Sequence, residues 1–509
     1  MRYSGTYDLL IVGGGINGAG IARDAAGRGL SVLLCEQDDL AAHTSSASTK
    51  LIHGGLRYLE QLQFALVRKA LIEREILLNS APHLMRPLRF VLPHDAHLRP
   101  AWMIGAGLFL YDHLARRRRL PGSASIDLRR HVAGAALKPQ YVRGFVYSDG
   151  WTDDARLVVL NAIDARERGA LIQTRTRCEK LEATRGQWVA TLTSSSGSET
   201  INARAVVNAT GPWVSRFTRD ASPVSVCHSI RLVKGSHIVV PRIYGHRFAY
   251  LFQNEDHRIV FAIPYEREFT LIGTTDVEYA GDPAAVHIDP AEVSYLCAAV
   301  SRYFAKPVRP EDVVWSYSGV RPLLDDEEAD PASVTRDYAL ELDPHPAPLL
   351  TVFGGKITTY RKLAESAVDI LARQIGSRAP PWTARALLPG GNLPRGNYAR
   401  FLRSLERAYP WLPPTLRYRY AHAYGTRIIH ILGDARSVAD LGEELLPQLY
   451  EREADYLCRM EMAQTAEDIL WRRTRLGLHV GRGQNGRLKE WLAHRASQAP
   501  IAEHRPVTA

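Results

Sequence analysis

At 509 residues the chain is long enough for two to four domains, and its 46% hydrophobic and 23% charged residues are typical of a globular protein. The net charge of +10 suits an anionic substrate or an anionic membrane surface. It argues less for nucleic acid, because no zinc-finger, RRM or helix-turn-helix signature is present. We expect no signal peptide, no membrane span and no bound metal. We also expect the five cysteines to be reduced, since no two of them form a C-x-x-C pair.

The start of the chain predicts a dinucleotide site. A short apolar strand ends in a G-x-G-x-x-G turn formed by Gly13, Gly15 and Gly18, and a helix with small side chains follows. The turn lets a pyrophosphate approach the backbone at the positive end of the helix dipole. A second strand ends at Glu36, where a carboxylate can accept hydrogen bonds from ribose hydroxyls. This pattern alone does not separate FAD from NAD.

The next stretch, HTSSASTKLIHGGLRYLEQLQ at residues 43–63, is rich in hydroxyls, glycines and cations. Such a composition so soon after the nucleotide turn indicates a loop that wraps the rest of a large cofactor, although a plain polar loop would look similar. An amphipathic helix is predicted over 62–79 and a strand over 87–94. From 101 to 111 the chain is almost wholly apolar, and four arginines at 116–119 follow. The segment 98–119 therefore predicts either a segment lying in a membrane interface or a buried hairpin or helix with a solvated basic loop.

Residues 141–148 predict a strand, and Thr152 or Asp153 caps a helix that runs to about residue 168. Strands within 171–207 end in the sequence NATG, where Thr210 and Gly211 either return the chain to the same cofactor or form an ordinary strand-to-loop turn. From 229 to 275 the residues alternate with period two and no helix intervenes, which predicts an antiparallel sheet. A helix near 289–305 and two further strands lead to a second strand–glycine–helix unit at 348–375, which carries Lys356 beside its double glycine.

The rest of the chain predicts a helical region after a Pro- and Gly-rich linker. We divide the chain into a discontinuous nucleotide-binding domain (1–85, 149–225 and 345–380), a β domain for the substrate (86–148 and 226–344), a linker (381–395), a helical C-terminal domain (396–497) and a tail (498–509) that frays.

Together these motifs resemble the FAD-dependent, quinone-linked glycerol-3-phosphate dehydrogenases, a group related to D-amino-acid oxidase. The resemblance rests on IVGGGINGAGIARDAAGRGL, TSSASTKLIHGGLRYLE, VNATGPW, KGSHIVVP, IGTTD, YSGVRPL, TRDY and FGGKITTYRKLAE. It implies an α/β fold with a Rossmann-like FAD-binding domain, an inserted antiparallel substrate sheet and a helical C-terminal domain. It also implies oxidation of sn-glycerol 3-phosphate, transfer of electrons to a membrane quinone and attachment to the cytoplasmic face of the cell membrane. We allow for a homodimer and expect no nucleic-acid partner.

The resemblance also implies roles for particular residues. Arg321 and Arg336 should hold the substrate phosphate as guanidinium forks, and Arg321 is also a catalytic candidate. Neutral His237 should accept the hydroxyl proton, unless it is a core histidine with its hydrogen bonds satisfied. Lys356 is a second catalytic candidate, since it can stabilise charge on the flavin ring. The remaining substrate candidates are Arg57, Tyr58 and Thr275. The FAD candidates are Gly13, Gly15, Asn17, Gly18, Glu36, Thr44, Ser45, Ser48, Lys50, Leu51, Gly55, Thr210, Gly211, Gly355, Lys356 and Thr358.

Three alternatives stay open. An oxygen-using glycerol-3-phosphate oxidase of the same fold would not need the apolar segment 98–119. An amine or amino-acid oxidase would need only one carboxylate-binding arginine, whereas two arginines and a lysine fit a phosphate better. A non-catalytic FAD-binding scaffold would show flavin spectra that glycerol 3-phosphate does not change.

Overall fold

The computed structural model describes residues 5–95, 98–223, 228–324, 338–481 and 483–498. Their strands are, in chain order, β1 Thr6–Val12, β2 Val32–Cys35, β3 Leu51–Ile52, β4 Arg86–Pro93, β5 Ala124–Asp127, β6 Arg143–Trp151, β7 Leu171–Gln173, β8 Thr176–Thr184, β9 Gln187–Ser194, β10 Gly197–Asn208, β11 Ile230–Pro241, β12 Ala249–Gln253, β13 Ile259–Tyr265, β14 Phe269–Gly273, β15 Val277–Glu278, β16 Trp315–Leu324, β17 Tyr338–Asp343, β18 Leu349–Gly354, β19 Glu444–Leu446 and β20 Leu449–Tyr450. Their α-helices are α1 Ile16–Gly27, α2 Phe64–Ser80, α3 Ala101–His113, α4 Asp154–Glu167, α5 Val214–Ala221, α6 Pro290–Ser301, α7 Tyr360–Ile375, α8 Tyr398–Ala408, α9 Pro414–Tyr424, α10 Ile429–Leu432, α11 Glu451–Glu461 and α12 Gly486–Gln498.

The first sheet has eight strands with the central order β17-β18-β10-β1-β2-β7, and β8 and β9 extend from β10. β1 pairs in parallel with both β2 and β10, while β17 runs antiparallel to β18. Leu9 to Ile11 are completely buried, because α1, α4 and α7 cover one face and the β8–β10 strands help to cover the other. Burial on both faces explains why β1 is an unbroken apolar run.

The second sheet has ten strands and is mostly antiparallel, with the order β15-β11-β14-β13-β12-β4-β6-β3 and with β16 and β5 at its sides. Helix α6 covers one face. The loop and helix from residue 51 to residue 71, together with α3, pack on the other face. β3 lies in a segment that our division gives to the nucleotide-binding domain, and β17 lies in one that it gives to the β domain. However, β3 pairs with β6 in the second sheet, and β17 pairs with β18 in the first sheet. The domain boundaries therefore stay a prediction.

Among the described residues from 398 to 498, the regular elements are helices apart from the hairpin of β19 and β20, and this region has its own apolar core. Buried ion pairs attach it to the loop after β2 and to the start of α4. Arg473 contacts Asp39 through two nitrogens at 2.6 and 2.8 Å, and Arg475 contacts Asp154 at 2.7 Å. Such pairs hold the region in one position, because separating them would leave charges without partners in a dry environment.

Helix α3 lies on the surface, and only Leu108 and Tyr111 of its thirteen residues are buried. Trp102 is 72% exposed and Phe109 is 65% exposed. Within the described ranges, no helix is both long enough and apolar enough to cross a membrane. α3 therefore presents an apolar surface that a water-soluble helix would normally bury.

The four described cysteines, Cys35, Cys178, Cys297 and Cys458, are free thiols, and Cys227 lies outside the described residues.

Candidate functional site

A cavity of about 430 Å³ lies at the carboxyl ends of β1, β2, β10 and β18. Ligands of open α/β sheets bind at this edge, where the loops after parallel strands converge. The cavity is therefore the candidate cofactor site.

The glycine turn forms one wall of this cavity. Gly13 has φ +114°, and a Cβ atom there would lie 2.5 Å from the Ala209 carbonyl oxygen. A Cβ on Gly18 would lie 1.9 Å from the Gly13 carbonyl oxygen, so α1 can start against the turn only if this residue is glycine. The Ile16 N–H donates to Ser45 Oγ at 3.0 Å, which joins the turn to the loop that follows β2.

Glu36 lies at the end of the cavity that follows β2. Its Oε2 accepts the Gly14 N–H at 2.6 Å and its Oε1 accepts the Asp38 N–H at 2.9 Å. Burial raises the pKa of this carboxyl above its usual range, and the two backbone hydrogen bonds oppose that rise. Each carboxylate oxygen can accept a further hydrogen bond from a ligand hydroxyl.

Asn17 provides a direct check on whether a polar ligand fits. Its Nδ2 donates to the Gly354 carbonyl at 3.1 Å, whereas its Oδ1 is buried and has no partner among the described residues. A buried acceptor without a partner costs free energy unless a ligand donor reaches it. With the glycine turn and Glu36, this acceptor fits a bound dinucleotide.

Many of the predicted FAD candidates line this cavity: Gly13, Gly15, Asn17, Glu36, Thr44, Ser45, Thr210, Gly211 and Gly355. Ser48 and Lys50 do not line it. Ser48 Oγ donates to Asp154 Oδ2 at 2.7 Å, and Lys50 Nζ donates to Asp154 Oδ1 at 2.8 Å. Lys50 is fully buried, and burial lowers the pKa of its ammonium group. The two polar side chains thus fasten the loop to α4.

A second, smaller cavity of about 100 Å³ lies between the loop 53–58 and the ten-stranded sheet. Arg57 and Tyr58 line it, as do Leu51 and Gly55, which we predicted at the cofactor. The Arg57 side chain is half-buried and has no hydrogen bond or ion pair with any residue that the structure describes. An uncompensated cation in a small cavity favours an anionic ligand.

Two further elements of the predicted site meet this loop. Lys356 Nζ lies 3.9 Å from the centroid of the Tyr58 ring, a cation–π contact. The His53 N–H donates to Thr358 Oγ1 at 3.1 Å. The segment after β18 is therefore joined to the wall of the second cavity.

Arg321 lies on β16 beside the second cavity. Its guanidinium forms an ion pair with Asp276 and donates to Thr274 Oγ1 at 2.9 Å, and both partners line the cavity. Gly235 makes room for it, because a Cβ there would lie 2.1 Å from Nη2. Arg336, the other predicted phosphate ligand, lies outside the described residues.

His237 is buried in β11, and its ring stacks on Tyr317 with the centroids 4.8 Å apart. Its Nε2 lies 2.9 Å from Thr49 Oγ1, and its buried Nδ1 has no partner among the described residues. Burial lowers the pKa of this imidazole well below its usual range, and the nearby positive charges of Arg321 and Lys50 act in the same direction. The ring is therefore neutral near pH 7, and the same shift makes it a weaker base than a free imidazole.

Thr275 is buried beside the ten-stranded sheet. Its Oγ1 donates to Glu292 Oε1 at 2.7 Å and accepts the Ser236 N–H at 2.9 Å. This hydroxyl thus braces β11 against α6, and the residue is absent from the lining of the second cavity.

Sequence reasoning missed Thr49, Asp149 and Asp276. Thr49 lies within the hydroxyl-rich loop, and nothing in the sequence distinguishes it from the other hydroxyl residues there. Asp276 ends the IGTTD motif, and its contact with Arg321 depends on the pairing of β11 with both β14 and β16. Asp149 lies next to the predicted cap of α4, and nothing local distinguishes it from the other acids there.

Two family models match the chain. The model for FAD-dependent oxidoreductases matches residues 8–361, and the model for the C-terminal domain of alpha-glycerophosphate oxidase matches residues 381–492. The fold and the cofactor cavity define a FAD-dependent oxidoreductase, which confirms the predicted fold class and the predicted cofactor.

The similarity extends along nearly the whole chain. A glycerol-3-phosphate dehydrogenase of Pseudomonas aeruginosa is 55% identical over 98% of this chain and 96% of its own. A D-erythritol 1-phosphate dehydrogenase of Brucella abortus is 49% identical over 96% of this chain and 98% of its own. The crystal structure of a glycerol-3-phosphate dehydrogenase from Bacillus halodurans with FAD superimposes with a TM-score of 0.78 at 28% identity, covering 97% of this chain and 91% of that one. The chain belongs to the FAD-dependent glycerol-3-phosphate dehydrogenase family, as predicted.

Proposed function

We propose that the protein oxidises sn-glycerol 3-phosphate to dihydroxyacetone phosphate. FAD, when bound, accepts the hydride that leaves carbon 2 of the substrate. The observation that carries the proposal is Arg57, a half-buried cation that lines a small cavity and forms no ion pair with any described residue. A phosphate dianion supplies the missing charge, and its oxygens match the donor geometry of a guanidinium.

Arg321 contributes to the same phosphate less strongly. Asp276 already neutralises much of its charge, so a phosphate must share the guanidinium with that carboxylate. The prediction that Arg336 binds the phosphate rests on the family resemblance alone. Lys356, above the Tyr58 ring, adds positive charge on the side of the cavity nearest the cofactor segment.

His237 serves as the proton acceptor. Its neutral ring can take a proton from the carbon-2 hydroxyl, and Thr49 holds Nε2 in place. Neither residue lines the second cavity, so the role of His237 rests on the family resemblance and on its neutral ring. Lys356 is the second candidate for this role.

The name of the Brucella relative gives a four-carbon substrate, so the choice between a three-carbon and a four-carbon polyol phosphate needs a direct comparison. A dye-linked assay of the FAD-loaded protein tests this with sn-glycerol 3-phosphate, D-erythritol 1-phosphate and glycerol. We expect the highest kcat/KM for the first and no activity with glycerol, which lacks the phosphate. A higher kcat/KM for the tetritol phosphate would overturn the choice of substrate.

We further propose that the protein docks on the cytoplasmic face of the cell membrane and reduces a quinone there. Helix α3 supports this, because Trp102 and Phe109 are exposed and Arg116 follows the helix, as in segments that lie in the lipid interface. Oxygen is the alternative acceptor. Peroxide formation by the purified protein at the rate of substrate oxidation would favour it over the quinone.

A further inference from the structure

Asp149 is a buried acid that the mechanism above does not use. It lies in β6, is 3% exposed and lines the second cavity together with Arg57. The two side chains form no ion pair, although they have opposite charges and share a cavity of about 100 Å³. The cavity therefore has a cationic part and a carboxylate part that do not neutralise each other.

All the hydrogen bonds to Asp149 from the described residues go to one oxygen. Its Oδ1 accepts the Arg74 Nη1–H at 2.6 Å and the Tyr111 hydroxyl at 2.7 Å, and the Gly54 N–H lies 3.4 Å away. Within the described chain, Oδ2 accepts no hydrogen bond. A carboxylate oxygen has two acceptor sites, so Oδ2 keeps its full capacity for a ligand donor.

The surroundings hold this carboxylate in place. Arg74 is buried, and its Nη1 also donates to the Ser148 carbonyl at 3.0 Å, so it cannot follow a ligand into the cavity. Tyr111 accepts the Gly54 N–H at 2.8 Å, and burial raises the pKa of its phenol, which keeps the hydroxyl protonated as a donor. Oδ2 is thus a fixed acceptor.

We propose that Oδ2 of Asp149 accepts a hydrogen bond from the carbon-1 hydroxyl of the substrate, and that this contact makes the enzyme specific for a phosphorylated polyol. The inference rests on the proposed function. A carboxylate repels the phosphate, which therefore lies toward Arg57. Of the two hydroxyls of glycerol 3-phosphate, the one on carbon 2 gives its proton to the base. The carbon-1 hydroxyl is the donor that remains.

The test compares two substrates in two proteins. The substrates are sn-glycerol 3-phosphate and the 2-hydroxypropyl phosphate of matching configuration, which lacks the carbon-1 hydroxyl. In Asp149→Asn the amide oxygen can keep the bonds to Arg74 and Tyr111, while the acceptor at Oδ2 is lost. We expect kcat/KM for glycerol 3-phosphate to fall about 10- to 100-fold, and kcat/KM for the deoxy substrate to change less than about threefold. An equal fall for both substrates would overturn the proposal.

Tyr111→Phe is the matched control, because it removes one bond to Oδ1 and the acceptor of the Gly54 N–H but keeps Oδ2 as an acceptor, with Arg74 still bound to Oδ1. The fall in kcat/KM that it causes should be the same for both substrates.

If Asp149→Asn does not fold, inhibition of the wild-type protein tests the proposal instead. 3-Amino-2-hydroxypropyl phosphate, whose ammonium group replaces the carbon-1 hydroxyl, should then inhibit at least tenfold more tightly than the deoxy compound. Equal inhibition would contradict the proposal. Failure of wild type to oxidise glycerol 3-phosphate would instead refute the proposed function.

Discussion

Replacing Arg57 by alanine tests the phosphate site with little disturbance of the fold. The side chain has no hydrogen bond or ion pair with any described residue, so its removal leaves no described group without a partner. The free energy of unfolding should therefore change by less than about 0.5 kcal/mol. The substrate, in contrast, loses charge-assisted hydrogen bonds worth about 1.5–3 kcal/mol, which corresponds to a fall in kcat/KM of about 10- to 150-fold.

The assay is anaerobic dye-linked oxidation of sn-glycerol 3-phosphate, with FAD content checked by absorbance. Arg258→Ala is the control, since it removes the same charge from an exposed arginine whose nearest carboxylate is 3.9 Å away. The control should keep kcat/KM within about twofold. Arg57→Lys should lie between the wild type and the alanine variant, because a lysine keeps the charge and loses the fork. An unchanged kcat/KM in Arg57→Ala would refute the reasoning.

Three further predictions concern the fold, its pH dependence and the membrane. Arg473→Met should lower the free energy of unfolding by about 3–5 kcal/mol, because the buried carboxylate of Asp39 loses one of its positively charged partners. A loss below about 1 kcal/mol in urea unfolding would contradict this. Burial lowers the pKa of His83 to about 3 from its usual 6.5, so the unfolded state binds more protons below pH 6.5 and stability falls as the pH decreases. His83→Leu should remove about 2 kcal/mol of the stability difference between pH 7 and pH 5, and an unaltered pH dependence of unfolding would count against it. Replacing Trp102 and Phe109 by glutamine should release the protein from anionic vesicles in sedimentation assays while dye-linked activity persists; unchanged sedimentation would argue against docking through α3.

The cofactor site was predictable because its signals are local. Gly13, Gly18 and Glu36 lie within one strand–helix–strand unit, and their spacing follows from the geometry of a tight turn and a parallel strand pair. The exposed helix α3 was also recognisable, since its apolar run is too short to span a bilayer and precedes a run of arginines.

Other parts depended on tertiary contacts that no local pattern reveals. Lys50 resembles a cofactor ligand in sequence, but it pairs with Asp154, which lies 104 residues further along the chain. Asp149 acquires its environment only because α2, α3 and β6 meet around the loop at Gly54. β17 pairs with β18 in the eight-stranded sheet, although its alternating sequence resembles that of the strands in the ten-stranded sheet.

The central claim is that a bound flavin and the Arg57 cavity act together on one phosphorylated triol. The most direct measurement is an anaerobic titration of the FAD-loaded protein with sn-glycerol 3-phosphate, followed by the visible absorbance of the flavin. The account predicts that the absorbance near 450 nm (about the usual flavin maximum) bleaches as substrate is added and that glycerol leaves it unchanged. A spectrum that sn-glycerol 3-phosphate does not alter would contradict it.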